Sequence, residues 1–279
     1  MKKLKDNVSK LLIRAILICN SILIIFPLIW VFYTSFKSNR EFYKSAWALP
    51  EVWQFVNYET AWVESNISGY FFTSAVLTLT VVFVLAILAA STAYVATRFR
   101  FRKGEALVSL YMAGMMVPTI LGVIPTFLVL KYLKMLNSFI GLGLVYIAYG
   151  LPFSVFVMAG YFRTIPHEIE EAAMIDGCSL NRLFWEIMIP MAKPGLVTIC
   201  IFNFIAFWNE YIFASTYMTD PAKRTLAVGL KNLMSITQYE TKWGALFAAV
   251  IIVMIPTVIV YAIFQKKITG GLTSGALKG

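Results

Sequence analysis

The sequence predicts an all-α membrane protein with six transmembrane helices. Three observations carry this. Of its 279 residues 59% are hydrophobic, only 14% are charged, and the mean hydropathy is +0.76. Soluble domains average about 25% charged residues, and a single core of this size cannot hide so much apolar surface. Six apolar stretches also reach the roughly 20 residues needed to cross a hydrocarbon core.

The expected spans are about 11–36, 70–96, 106–130, 138–162, 196–218 and 244–264, within a single domain over 1–279. The first follows Lys2, Lys3, Lys5 and Lys10, a charge pattern that signal peptides share. Its apolar run is too long for one and no small-residue cleavage site follows, so it reads as a retained helix. Next comes the aromatic-rich segment 37–69, with Trp47, Trp53, Phe55, Tyr58 and Trp62. Aromatics beside a span suit an interfacial belt, and a sugar-stacking platform is the other reading.

An even number of spans places both termini on one side. With that side cytoplasmic, 15 of the 24 Lys and Arg residues fall inside, led by the cluster Arg98, Arg100, Arg102 and Lys103. This is the positive-inside bias, and it accounts for much of the net charge of +10. No basic face is interleaved with aromatics on a soluble segment, so the charge does not point to nucleic acid. Cys19, Cys178 and Cys200 are widely spaced and suggest neither disulfides nor a metal site.

The third span carries Pro118 and Pro125, the fourth Pro152 and the sixth Pro256, where kinks are expected. Gly141, Gly143 and Gly150 suit close helix approach. In the fifth span, Asn209 and Glu210 are polar residues in an apolar setting. A charge there is costly unless it faces the bundle and has a partner, which leaves two readings open: a pathway residue or a packing contact.

The most informative stretch is the cytoplasmic loop 163–194. Pro166 suits a first helical turn, and Glu168, Glu170 and Glu171 complement the helix dipole. Asp176-Gly177 reads as a stop with Gly177 left-handed, and Ser179 as the cap of a second helix holding Leu183, Phe184, Ile187 and Met188, limited by Pro190. The result is a helix–turn–helix elbow. It suits docking in a groove of another protein, or lying on the membrane surface.

This segment resembles the EAA loop of ABC importer permeases: Glu-Ala-Ala, three residues, Gly, nine residues, Ile, one residue, Leu-Pro. Glu171, Ala172, Ala173, Gly177, Ile187 and Pro190 match at that spacing, with Ile189 in place of the usual leucine. The stretches SFKSNREFY, VNYETAW, FIAFWNEYIFA, RTLAVGL and GLTSGALKG are similar to the second permease of maltose-type importers. The resemblance covers nearly the whole chain. It implies a type I permease bundle in a bacterial cytoplasmic membrane, one half of a sugar pathway. It implies a second, homologous but different permease, two ATPase subunits that hold ATP and Mg²⁺, and an extracellular or periplasmic solute-binding protein. Glu171 would engage a basic group on the ATPase, Gly177 would make the sharp turn, and Ile187 and Pro190 would fix the second helix.

The residues offer no phosphate-binding GxxxxGK[ST] loop, and His167 is the sole histidine, so neither ATP hydrolysis nor a metal site is expected on this chain. No Ser/His/Asp or paired-carboxylate arrangement is placed for catalysis. Another small polar cargo remains open, as does, from a different class, a self-sufficient secondary carrier that binds its coupling ion at Glu210.

Overall fold

The computed structural model describes residues 2–99, 103–240 and 242–276; Arg100 and Arg102 of the basic cluster and the end of the C-terminal tail lie outside them. Every regular element among the described residues is helical. In chain order these are α1 (Lys2–Thr34), α2 (Asn39–Lys44), α3 (Val56–Glu59), α4 (Ile67–Arg98), α5 (Gly104–Met115), α6 (Val123–Tyr132) and α7 (Phe139–Thr164). They continue with α8 (His167–Ile175), α9 (Leu180–Met191), α10 (Lys193–Trp208), α11 (Ile212–Tyr217), α12 (Leu226–Glu240) and α13 (Trp243–Ala276). The chain falls into two compact units: the segment up to Ser68 with Gly229–Ile255, and Gly69–Val228 with the segment from Pro256.

In the first unit, α1 is predominantly apolar from Leu11 onward and its side chains stay exposed as far as Ile29, which suits lipid rather than water as their surroundings. Four of the aromatics expected to form a belt, Trp47, Trp53, Phe55 and Tyr58, fold back on its end. Phe36 is ringed by Trp53, Phe55 and Tyr58 at centroid distances of 4.9, 5.2 and 5.2 Å. Trp30 lies 5.4 Å from Trp47 and 5.1 Å from Phe247. The α2 helix starts in a capping box: the Ser38 hydroxyl accepts from the Glu41 amide, and Glu41 accepts from the Ser38 amide. Burial pushes the Glu41 carboxyl up, but hydrogen bonds from Ser38, Glu51 and Val52 outweigh it and hold the group below its usual range. Lys37 is fully buried, its ammonium donating to the Ser45 and Ala46 carbonyls at 2.9 and 3.2 Å, and burial pulls its pKa down.

In the second unit, α5 and α10 pack along α7. One core layer joins Ala89, Ala93, Val155, Met158 and Phe162 to Ala173, Leu183 and Met188. Small residues on α4 let its backbone approach closely. The other layer joins Leu77, Val81, Leu142, Tyr146, Phe207 and Tyr217.

Among the described residues, four helices are long and apolar enough to cross a membrane, and up to six spans result if each of two bent pairs counts as one. The third and fifth expected spans are not continuous helices. The stretch 106–130 is divided between α5 and a second segment, Thr119–Tyr132, at 91° to it. Pro118 sits at that break with an extended ψ of 122°, and a 3₁₀ turn, Thr119–Gly122, follows it. Pro125, read as a kink, lies in the first turn of α6, where its missing N–H removes no helical bond. Pro152 and Pro256 lie inside helices that run on through them. The stretch 196–218 breaks after Trp208, placing Asn209 and Glu210 between two helices instead of inside one.

Candidate functional site: an exposed elbow and a cavity at two helix breaks

The loop 163–194 folds as two helices joined by a tight turn. Pro166 is the N-cap of α8, one position before the first turn, and Asp176 is its C-cap. Gly177 follows with φ +78°, and no atom lies within 4 Å of where a Cβ would be, so backbone conformation alone selects glycine there. The Ser179 side chain accepts from the Arg182 amide and opens α9. That helix includes a π-helical stretch, Leu183–Met188, and ends at Met191, one residue beyond Pro190. The wider π turn immediately precedes the proline, where an α-helix would lose a bond and clash with the ring. Beyond Met191 the chain bends 73° into α10.

The elbow has two faces. Ala173, Leu183 and Met188 are buried, and Ile187 is half-buried. Glu171, Ala172, Gly177 and Pro190 are exposed, together with the apolar Met174, Ile175, Leu180 and Trp185. Apolar side chains crowded on an exposed face suit a surface that meets another apolar surface. Sequence reasoning placed Glu170 among the dipole-matching acids and Arg98 in the orienting cluster. Glu170 does stand in the first turn of α8, and the structure in addition pairs it with Arg98 in a buried ion pair, with side chains 8% and 2% exposed. The available signal was Glu170's position: it shares a helical face with Ile169 and Ala173, where an acid needs a partner.

A cavity of about 360 Å³ lies between α7 and α10, lined by Thr119, Tyr149, Phe153, Phe202, Asn203 and Glu210 among others. Both helix breaks reach it, Thr119 from the one after α5 and Glu210 from the one after α10. Irregular backbone at membrane depth is tolerated where it lines a cavity or is buried in protein. A larger hollow of about 550 Å³, between α4 and α7, has an almost wholly apolar wall that includes Val76, Leu77, Ile140 and Leu144. Of the two, the smaller gathers the more polar side chains, Thr119, Tyr146, Tyr149, Asn203 and Glu210 against Thr73 and Thr80, so it is the better candidate for handling a polar solute.

Asn209 and Glu210 cap the two ends of their break. The Asn209 side chain donates to the Ile205 carbonyl at 2.8 Å, closing α10. Glu210 accepts from the amides of Phe213 and Ala214 at 2.7 and 3.0 Å and from the Tyr146 hydroxyl at 2.8 Å, opening α11. Both carboxylate oxygens are therefore engaged. Asn203, buried, donates to Ser154 Oγ at 2.8 Å and to the Ile199 carbonyl at 2.7 Å. A Cβ on Gly150 would stand 2.7 Å from Asn203 Oδ1 and 2.9 Å from Phe207 Cζ, so glycine is what lets α7 pass this close to α10. Among the described residues, no group of three or more His, Cys, Asp or Glu could hold a metal ion.

Residues 83–272 match the model of the family described as binding-protein-dependent transport system inner membrane component. The chain is 37% identical to the diacetylchitobiose uptake system permease protein NgcG of Streptomyces coelicolor, over 95% of this chain and 88% of that protein. It is 31% identical to the trehalose transport system permease protein SugB of Mycobacterium tuberculosis, over 91% of this chain and 92% of that one. With the sulfoquinovosyl glycerol transport system permease protein SmoH of Agrobacterium fabrum the identity is 30%, over 91% and 89%. A family match over most of the chain, joined to its apolar helices, leaves one conclusion: this multi-pass membrane protein belongs to the inner membrane components of binding-protein-dependent ABC transport systems, as a permease and not an enzyme.

Proposed function

We propose that this chain is the permease subunit of a binding-protein-dependent ABC importer for sugars or oligosaccharides, forming half of the translocation pathway. The observation that carries the reading is similarity, over more than nine-tenths of the chain, to permeases whose names describe carbohydrate uptake. The cavity supports it, since aromatic rings beside Thr119 and Asn203 suit a polyhydroxylated ring with apolar faces.

On this reading the whole chain acts as one permease domain of the bacterial cytoplasmic membrane, a type I bundle with both termini in the cytoplasm. It crosses six times, with α5–α6 as the third span and α10–α11 as the fifth. The elbow is an EAA loop whose coupling residues are Glu171, Ala172, Ala173, Gly177, Ile187 and Pro190: the exposed Glu171, Ala172, Gly177 and Pro190 face an ATPase subunit, while Ala173 and Ile187 pack inward against the spans. The exposed Glu171 and the exposed apolar side chains beside it support that assignment. ATP and Mg²⁺ belong to two partner ATPases, and this chain holds no cofactor. A second, homologous permease completes the pathway as a heterodimer, and a solute-binding protein delivers the cargo.

The mechanism is alternating access. Closure of the ATPases moves the elbow as a lever, and the spans open to the outside. Asn209 and Glu210 keep the broken fifth span in shape. The hydrogen bonds that occupy both Glu210 oxygens support this over a coupling-ion site.

The test is reconstitution into proteoliposomes with the co-purified partners, measuring uptake of a panel of labelled mono- and disaccharides. Uptake that needs internal ATP and external binding protein is the expected result. Uptake by the isolated chain, driven by an ion gradient, would replace the reading with a secondary carrier. ATP-dependent uptake of a non-sugar alone would correct the cargo.

A further inference from the structure

The elbow is joined to the helices above it in two different ways. Ala173, Leu183 and Met188 pack among Ala89, Ala93, Val155 and Met158 of α4 and α7. Apolar contact of this kind is non-directional and lets surfaces slide. The other joint is directional and centres on Arg98, the last residue of α4. Its Nε and Nη2 each lie 3.0 Å from Glu170 Oε2 on α8. Its Nη1 donates to the carbonyls of Phe162 and Ile165 at 3.2 and 2.8 Å, and Nη2 to that of Pro166 at 3.3 Å.

One guanidinium thus fastens three elements: the end of α4, the end of α7 and the first helix of the elbow. The Phe162 and Ile165 carbonyls belong to the end of α7, where a helix leaves carbonyls unpaired and where positive charge is favoured. Arginine suits the place because its donors form a rigid planar fork, whereas a lysine ammonium is a single point on a flexible stem. Two other ionisable groups lie beside Glu170: His167, whose Nδ1 lies 3.5 Å from Oε2 on an exposed side chain, and the Tyr94 hydroxyl, which hydrogen-bonds with it. Tyr94, one turn before Arg98, packs its ring on Phe162 of α7 at 5.5 Å and on Phe184 of α9 at 5.1 Å, bracing the end of α7 and the second helix of the elbow against α4.

We infer that Arg98 is the positioning residue that carries movement of the elbow to α4 and α7, by holding Glu170 and the carbonyls of the α7 terminus in one rigid joint. The inference rests on the elbow being an ATPase-docking element, and it adds the route by which docking reaches the spans. Without Arg98 the elbow still docks and still packs, but it slides over the apolar layer.

The experiment uses the complete complex in proteoliposomes, with solute uptake and ATP hydrolysis read from the same vesicles. Two variants are compared with wild type: Arg98→Lys, which keeps the charge, and the double change Arg98→Gln with Glu170→Gln, which leaves no unpaired buried charge. Both are expected to recover the ATPase at wild-type level while uptake per ATP hydrolysed falls about tenfold, within the range typical of coupling between sites. A role confined to stability would lower the yield of complex and leave that ratio unchanged. A ratio within about twofold of wild type in assembled variants overturns the inference. Failure of both variants to assemble overturns it too, by making the joint a requirement of the fold. If the wild-type chain brings down no ATPase, the docking reading itself fails, a result distinguishable from either of these.

Discussion

Replacing Glu210 by Gln separates a structural carboxylate from one that handles solute. Three donors converge on its two oxygens: the Phe213 amide on Oε1, and the Ala214 amide and Tyr146 hydroxyl on Oε2. Glutamine keeps the shape, but one of its two terminal atoms is an NH₂ group, which cannot accept. If its oxygen takes the place of Oε1, the NH₂ faces two donors; if it takes the place of Oε2, the NH₂ faces the Phe213 amide. At least one buried donor is left unpaired, which costs about 1–3 kcal/mol. The surviving bonds also lose the strength that the anion gave them, roughly half of each. The expected loss for Glu210→Gln is therefore about 2–3 kcal/mol. Tyr146→Phe removes one donor and leaves both oxygens occupied, so its cost is about 1 kcal/mol. The assay is thermal unfolding of the detergent-solubilised complex, followed by size-exclusion profile, with the double variant closing a cycle. The two changes should be less than additive, because both act on the same hydrogen bond, which the first weakens or removes and the second deletes. Unchanged stability in Glu210→Gln, accompanied by a raised KM for uptake, would refute the capping role and restore Glu210 to the solute path.

Two further outcomes follow from local geometry. Gly177 has φ +78° with open space around it, so Gly177→Ala should cost about 1–2 kcal/mol from backbone strain alone, and Gly177→Asn less, as read by thermal unfolding. Glu41 titrates below its usual 4.5 in the folded protein, so the unfolded chain binds more protons as pH falls. The stability it contributes should be complete above about pH 4.5 and lost as pH drops through the folded value. Glu41→Gln should flatten that part of a stability–pH profile.

Much of the elbow was legible in the sequence because its instructions are local. Gly177 and Ser179 each act within three or four residues of themselves, so the turn and the second cap follow from short-range chemistry. Pro190 stands one residue before the end of the second helix, close to the limit its ring sets, but the π-helical stretch ahead of it was not legible, because nothing in the residue types announces one. The same limit applies to the fifth span. An average over some twenty residues passes smoothly across Asn209 and Glu210, although adjacent polar side chains can cap two helix ends as readily as they can sit inside one. What completes the Glu210 site is Tyr146, 64 positions away, and the partner of Glu170 is Arg98, 72 positions away. Charge counting gave Arg98 an orienting role and had no means of seeing that its side chain is buried. The break at Pro118 was visible as a proline; its angle of 91° depends on how α5 and α6 pack, which no local rule supplies.

The central claim is that the elbow is where this chain meets an ATPase, and one measurement tests it most directly. The tagged chain and its Glu171→Lys variant are each pulled from native membranes in mild detergent, and the partners are identified by mass spectrometry. Glu171 is exposed, so the change should leave folding within about 0.5 kcal/mol of wild type. The account predicts that wild type brings down an ATPase and a second permease, and that the variant keeps the permease and loses the ATPase. Equal recovery of the ATPase with both forms, together with unchanged uptake, would contradict it.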